Sequence, residues 1–134
     1  MGTEVTDRIT TIRIVIADDH PVARAGFRTL LTTAPDIEVV GEAENGRQAM
    51  HMVEELHPDV LVLDMSMPDI EGDEVARRLR AAGLAAPILA FSAYSDDERV
   101  FAAVDSGVAG YLLKDEAGEA LAAAIRAVAR GSRA

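Results

Sequence analysis

Val60-Leu61-Val62-Leu63-Asp64-Met65-Ser66-Met67-Pro68-Asp69 decides how the rest of the chain reads. Four branched aliphatic residues run without interruption into one carboxylate, and a Met-Ser-Met-Pro turn follows. A short unbroken apolar run bounded by turn residues marks a strand buried on both faces, as in a parallel sheet. Asp64 then stands at the strand's carboxyl end, the edge where open α/β sheets place their ligands. A single strand-end Asp is as readily a helix cap. The weight comes from the chain on either side.

Toward the N-terminus, Ile12-Arg13-Ile14-Val15-Ile16-Ala17 is a β-branched strand that ends in Asp18-Asp19-His20-Pro21. Pro21 suits the first turn of a helix, with an acidic residue ahead of it as cap. That helix carries the stripe Ala23, Phe27, Leu30, Leu31 and Ala34 before Pro35-Asp36 breaks it. Ile37 to Ala43 reads as a second strand, more polar and so nearer a sheet edge. Asn45 caps a helix striped by Ala49, Met52, Val53 and Leu56, which Pro58 closes.

Toward the C-terminus, a loop runs to Gly72, and a helix striped by Val75, Leu79 and Ala82 ends at Gly83. Pro87 to Phe91 is a fourth strand, ending in Ser92. Ser95 or Asp96 caps a fourth helix with Val100, Ala103 and Val104 inward and Gly107 as terminator. Gly110 to Leu113 is a short fifth strand, ending in Lys114. The last helix turns Leu121, Ala124, Ile125 and Val128 to one face and stops at Gly131. Glu116 and Glu119 near its start and Arg126 and Arg130 near its end complement the helix dipole. Strand and helix thus alternate five times. Such alternation forces parallel strands with right-handed crossovers and helices on both faces. The fold class is α/β, an open doubly wound five-stranded parallel sheet, because a closed barrel would need eight units.

Composition narrows the function. A chain of 134 residues, 49% hydrophobic, fits one globular domain with a full core. The absence of cysteine removes disulfides and thiolate metal sites and suits a reducing, cytoplasmic setting. No apolar run approaches the roughly 20 residues that span a bilayer. Met1 to Thr11 is polar, lacks the apolar core of a signal peptide, and reads as a flexible leader. A net charge of −10 disfavours nucleic-acid contact by this segment, since phosphate backbones need basic surface.

The strand ends then share one crevice. Strands one, three, four and five deliver Asp18 and Asp19, Asp64, Ser92 and Lys114 to the same edge. Two unit charges about 4 Å apart repel by roughly 4 kcal/mol at an effective dielectric near 20. Three clustered carboxylates must therefore shift their protonation or recruit a cation. An all-oxygen set with room for water suits Mg²⁺. A carboxylate nucleophile beside Mg²⁺, a lysine and a hydroxyl is built to handle a phosphoryl group. His20, His51 and His57 lack ligand-like spacing and read as surface residues, and Met50, Met52, Met65 and Met67 read as packing.

From about Ile12 to Gly131 the chain resembles a receiver domain of a two-component response regulator. The acid pair Asp18-Asp19, Asp64 before Met-Ser-Met-Pro, Ser92 and Lys114 fall in order at family-like spacing. Ala17-Asp18-Asp19-His20-Pro21-Val22 and Gly110-Tyr111-Leu112-Leu113-Lys114-Asp115 are most similar to the NarL/LuxR-type subfamily. The resemblance implies the flavodoxin-like (βα)5 fold with strand order 2-1-3-4-5. It implies that Asp64 takes a phosphoryl group from a sensor histidine kinase, with Lys114 and Ser92 binding phosphoryl oxygens. Mg²⁺ would be held by Asp19, Asp64 and the Ser66 backbone carbonyl, with Asp18 acting through water. Ser92 and Tyr111 would form the switch. Ser66 and Tyr94 would govern access to the phosphate. The resemblance implies no enzyme beyond the domain's own phosphorylation and dephosphorylation.

The same resemblance divides the chain into a leader over 1–11, a receiver domain over 12–131 and the start of a linker or tail over 132–134. It implies a possible homodimer on phosphorylation, and DNA contact only through a helix-turn-helix domain that this chain lacks. No membrane contact is expected. The alternative reading is a stand-alone or degenerate receiver serving as a dimerisation or protein-interaction module. A haloacid-dehalogenase-type phosphatase needs a second Asp where this chain has Ser66, and a P-loop hydrolase needs a Gly-Lys-Ser/Thr loop that is absent. A flavodoxin-like redox module would need a hydroxyl-rich phosphate loop where Asp18-Asp19-His20-Pro21 stands.

Overall fold

In the computed structural model, which describes residues 11–93 and 97–131, β3 (Val60–Asp64) is buried at every position and lies at the centre of the sheet. It is flanked by β1 (Ile12–Ala17) and β4 (Ile88–Ser92), with β2 (Ile37–Ala43) and β5 (Gly110–Leu113) outside them. The order is β2-β1-β3-β4-β5, and every pairing is parallel. Five helices connect and follow the strands: α1 (Pro21–Leu31), α2 (Gly46–Leu56), α3 (Gly72–Ala81), α4 (Asp97–Asp105) and α5 (Ala117–Ala129). A 3₁₀ turn over Lys114–Glu116 leads into α5. The doubly wound sheet expected from the alternation, with the flavodoxin-like strand order that the resemblance implies, is the fold observed.

The period-two alternation of the strands sorts their side chains into two cores. Val60 and Val62 join Ile14, Ile16, Leu89 and Phe91 under α1 and α5, where Phe27, Leu31, Leu121, Ile125 and Val128 meet them. Leu61 and Leu63 join Val15, Ala17 and Ile88 under α2 and α3, against Ala49, Val53, Val75, Ala76 and Leu79. Each buried aliphatic side chain contributes about 1.5–3 kcal/mol of transfer free energy, which is why an unbroken aliphatic run selects the central position. β2, more polar, takes an edge as its composition predicts.

Several helix ends follow the expected local chemistry, and the start of α1 does not. The Asn45 side chain accepts a hydrogen bond from Gln48 N at 2.8 Å, capping α2 as expected. Gly83, Gly107 and Gly131 terminate α3, α4 and α5 with positive φ of 79°, 99° and 74°. At α1, however, the cap position is His20, which makes no side-chain capping bond, so the expected acidic cap is absent. The acids ahead of it are turned into the crevice instead.

Three residues expected inside face outward. Leu30 and Val104 are exposed, as is Ala82. Phe27 and Leu31, one turn apart, already set the buried line of α1, and Leu30 lies about 100° off Leu31 around the helix. On α4 the small residue Ala103 is fully buried while Phe101 and Val104 stay in solvent. On α3, Ala76 is buried beside Val75 and Leu79, whereas Ala82 stands past the last helical residue at the C-cap. The residues Tyr94, Ser95 and Asp96 and the side chain of Glu119 lie outside the described part of the chain.

Candidate functional site at the carboxyl edge of the sheet

Asp18 is fully buried one residue past the end of β1, and Asp64, the last residue of β3, is 2% exposed. Lys114 reaches back from the end of β5, placing Nζ 3.3 Å from Asp64 Oδ2 and 3.4 Å from Asp18 Oδ2. Its path crosses the face of Phe91, with Nζ 5.3 Å from the ring centroid. Phe91 is itself held edge-on by Phe27 at 4.8 Å. The lysine head therefore has an aromatic floor and two carboxylates in front of it.

Burial dominates the titration of Asp64 and pushes its carboxyl up to about 6, with the charge of Asp18 adding to the rise. The backbone N–H of Ser66, which donates to Asp64 Oδ1 at 3.0 Å, and the Lys114 ammonium act in the opposite direction. The result is a carboxylate whose charge is only partly compensated.

The loop that carries Ser66 is anchored at both ends. Gly72 N donates to Met65 O at 3.0 Å, and a Cβ at Gly72 would stand 2.6 Å from Met65 Cα and 3.1 Å from Asp64 O. Only glycine lets α3 begin directly against the end of β3. Farther along, Asp69 accepts hydrogen bonds from Gly46 N at 2.8 Å and Arg47 N at 3.0 Å. Desolvation raises the Asp69 pKa, but the backbone donors from Gly46, Arg47 and Ile70 outweigh it and hold the carboxyl below its ordinary value. Asp69 thus ties the loop to the N-terminus of α2.

Ser92, buried at the end of β4, lines a cavity of about 90 Å³ with half-buried Tyr111 of β5. Met65, from the loop after β3, and Arg99 and Ala103 of α4 close the same space. The two residues expected to form a switch therefore share one void next to the acidic crevice.

Asp18, Asp19, His20 and Asp64 each offer a ligand atom, and these atoms lie within 4.8 Å of one another. Among the described residues, Asp18 Oδ2 and Asp19 Oδ1 are the buried side-chain oxygens that receive no hydrogen bond. Buried acceptors left unfilled are costly, and a divalent cation would satisfy them. The donor set is compatible with Mg²⁺, a hard ion that takes carboxylate oxygens and keeps waters.

Asp18, Asp19, Asp64 and Lys114 are thus brought together, Ser92 lies at the same edge, and Ser66 touches Asp64 through its backbone. Tyr94 lies outside the described residues. His20 is a surface residue as expected, 66% exposed, and its Nδ1 also lies 3.1 Å from Asp18 Oδ1 and 3.2 Å from Asp19 Oδ1. Its adjacency to the acid pair was the available signal. The anchoring roles of Asp69 and Gly72 carried none, because their partners are remote in sequence or lie in the backbone.

Residues 14–126 match the family described as the response regulator receiver domain. The chain belongs to that family. Among curated relatives, this receiver domain is 43% identical over 118 residues to the nitrate/nitrite response regulator protein NarL of Escherichia coli strain K12. The match covers 88% of this chain and 55% of that protein. Among solved structures it is similar to a LuxR-family two-component response regulator from Aurantimonas sp. SI85-9A1, with TM-score 0.86 and 34% identity over 91% of this chain and 87% of that one. It is also similar to a DNA-binding response regulator of the LuxR family from Staphylococcus aureus, with TM-score 0.82 and 29% identity over 88% and 98% of the two chains. The receiver domain spans about half the length of the curated relatives it matches, and the NarL/LuxR-type reading of its sequence stands.

Proposed function

We propose that Asp64 is the phosphoacceptor of this receiver domain and takes its phosphoryl group from the phosphohistidine of a sensor histidine kinase. The observation that carries the reading is a buried carboxylate within 3.3 Å of a lysine ammonium and beside two unsatisfied acidic oxygens. An Asp64 oxygen attacks phosphorus as the bond from phosphorus to the donor nitrogen breaks, and that nitrogen keeps the electron pair. Lys114 stays on the side where it can pair with a phosphoryl oxygen, and the Ser92 hydroxyl is placed to bind another. Asp19, Asp64 and the Ser66 carbonyl would hold Mg²⁺, with Asp18 through water; the ion supplies charge neutralisation for the incoming oxygens. The chain's own contribution is positioning and electrostatics, as phosphoryl transfer requires. Catalysis in this reading extends only to the domain's own phosphorylation and dephosphorylation.

The working unit is residues 12–131, with 1–11 as leader and 132–134 as the start of a linker. Ser92 and Tyr111 act as the switch through the cavity they share, and Ser66 and Tyr94 govern the approach of water to the phosphate. The output is DNA binding by a helix-turn-helix domain outside this chain, which the half-length match to longer relatives supports. The setting is the cytoplasm; among the described residues no helix is long and apolar enough to cross a membrane.

Treatment with a small phosphodonor and Mg²⁺, followed by intact-mass spectrometry, tests the assignment. The parent protein gains one phosphoryl group and Asp64→Asn gains none, because an amide is a poor nucleophile. Label on the Asp64→Asn protein would reject Asp64 as acceptor.

A further inference from the structure

The oxygens of Asp18, Asp19 and Asp64 account for a hard cation, but the crevice also holds a nitrogen. His20 Nδ1 lies within 3.2 Å of one oxygen of Asp18 and one of Asp19, and its ring belongs to the cluster whose ligand atoms fall within 4.8 Å of one another. The ring is held there by the backbone, because His20 N donates to Asp18 Oδ1 at 2.9 Å and Pro21 follows at the first position of α1. Asp18 is fully buried; its second oxygen, Oδ2, receives no hydrogen bond, the Lys114 ammonium standing 3.4 Å away, and Asp19 Oδ1 receives none either. An acidic cluster alone would not specify an ion. Unfilled buried oxygens together with a neighbouring imidazole nitrogen do.

We infer that His20 is a nitrogen ligand that gives this site a second cation class: borderline divalent ions such as Ni²⁺ or Co²⁺, bound through the His20 imidazole as well as the carboxylates. Mg²⁺ gains little from imidazole, whereas later first-row ions gain much. His20 is then a specificity-determining residue for the cation, while Asp18, Asp19 and Asp64 bind either class. The inference rests on the Mg²⁺ reading of the same acids. A His20-bound ion would occupy the place from which charge neutralisation is drawn, so the identity of the available metal would tune phosphorylation.

Calorimetric titration of the 134-residue chain with Mg²⁺ and, separately, with Ni²⁺ tests this. His51 lies 3.6 Å from Glu55 on one helix face and could take Ni²⁺ adventitiously, so all proteins carry His51→Ala and His57→Ala. Adding His20→Ala is expected to weaken Ni²⁺ binding about tenfold or more while Mg²⁺ affinity changes by less than about twofold. Replacing Ni²⁺ with Co²⁺ adds an independent readout, through-bond contact-shifted ring proton signals of a coordinated His20 that are absent in His20→Ala. An unchanged ratio of Ni²⁺ to Mg²⁺ affinity in His20→Ala, or the absence of contact-shifted His20 ring signals with bound Co²⁺, would overturn the inference and leave the Mg²⁺ reading standing. Failure of the parent to bind Mg²⁺ would overturn that reading, and the inference with it.

Discussion

At Asp64 the chain buries a carboxyl group beside a second acid and offsets its charge with one ammonium and one backbone N–H. Its folded-state pKa, about 6, stands above the ordinary 3.8, so the folded protein holds the proton more tightly than the unfolded chain. Stability from this group is therefore full below pH 3.8, falls as pH rises toward 6, and stays at its lower level above that. In chelator-treated protein, Asp64→Asn should be more stable than the parent by about 2 kcal/mol at neutral pH, with the advantage shrinking toward pH 4. Urea denaturation at the two pH values measures it, and a gap independent of pH would show that burial does not tax this carboxylate. Also at this scale, Tyr94→Ala is expected to speed loss of phosphate about tenfold, or roughly 1.4 kcal/mol of barrier. The expectation rests on the bulk of the ring, two positions past Ser92, against the approach of an in-line water. Phosphate release after removal of the donor follows it; an unchanged or slower rate means that the ring does not shield the site.

Among the elements, the junction of β3 and α3 sets the precision of the crevice. Gly72 lets the first turn of α3 rest on the backbone of Asp64 and Met65, where a methyl group would meet Met65 Cα at 2.6 Å. Backbone cannot swing aside as a side-chain tip can. Gly72→Ala should cost about 1–3 kcal/mol, as overpacking does, and should slow phosphorylation of the protein that remains folded, because Asp64 moves with the strand end. Equilibrium denaturation and phosphodonor kinetics on the same preparation separate the two effects. Full stability with normal kinetics would mean that the loop accommodates the methyl freely. Asp69 completes the junction by capping α2, which couples the loop after the acceptor to a second helix.

Across the whole molecule, the surface nearest the Ser92–Tyr111 cavity presents exposed apolar side chains. α4 contributes Arg99 and Ala103 to the cavity and turns Phe101, 71% exposed, and Val104, 58% exposed, to solvent. Phosphorylation is predicted to shift the surface of α4, β5 and α5 and raise the dimer population. A few kcal/mol suffices to move such a two-state equilibrium substantially. Sedimentation velocity with and without a phosphate mimic should show a larger dimer fraction with the mimic. Identical distributions over a wide concentration range would count against it, and a dimer insensitive to Phe101→Ser would move the interface to α1 and α5.

The sequence by itself determined the α/β class, the five strand–helix units, the terminating glycines and the acids, hydroxyl and ammonium at the strand ends. These are local properties: aliphatic runs, helical stripes and turn residues act within a few positions of one another, and a parallel sheet then brings its carboxyl ends together. Tertiary structure alone decided what depends on distance and solvent. Asp18, Asp64 and Lys114 are far apart in the chain, so their 3.3–3.4 Å contacts and the raised pKa of Asp64 exist only once the core is closed. The same holds for the outward turn of Leu30 and Val104, which a helical stripe cannot foresee because it does not reveal which neighbour the helix packs against. His20 shows the limit most sharply: an exposed histidine by pattern, it becomes part of the crevice because a strand end and a proline turn aim its ring at two acids.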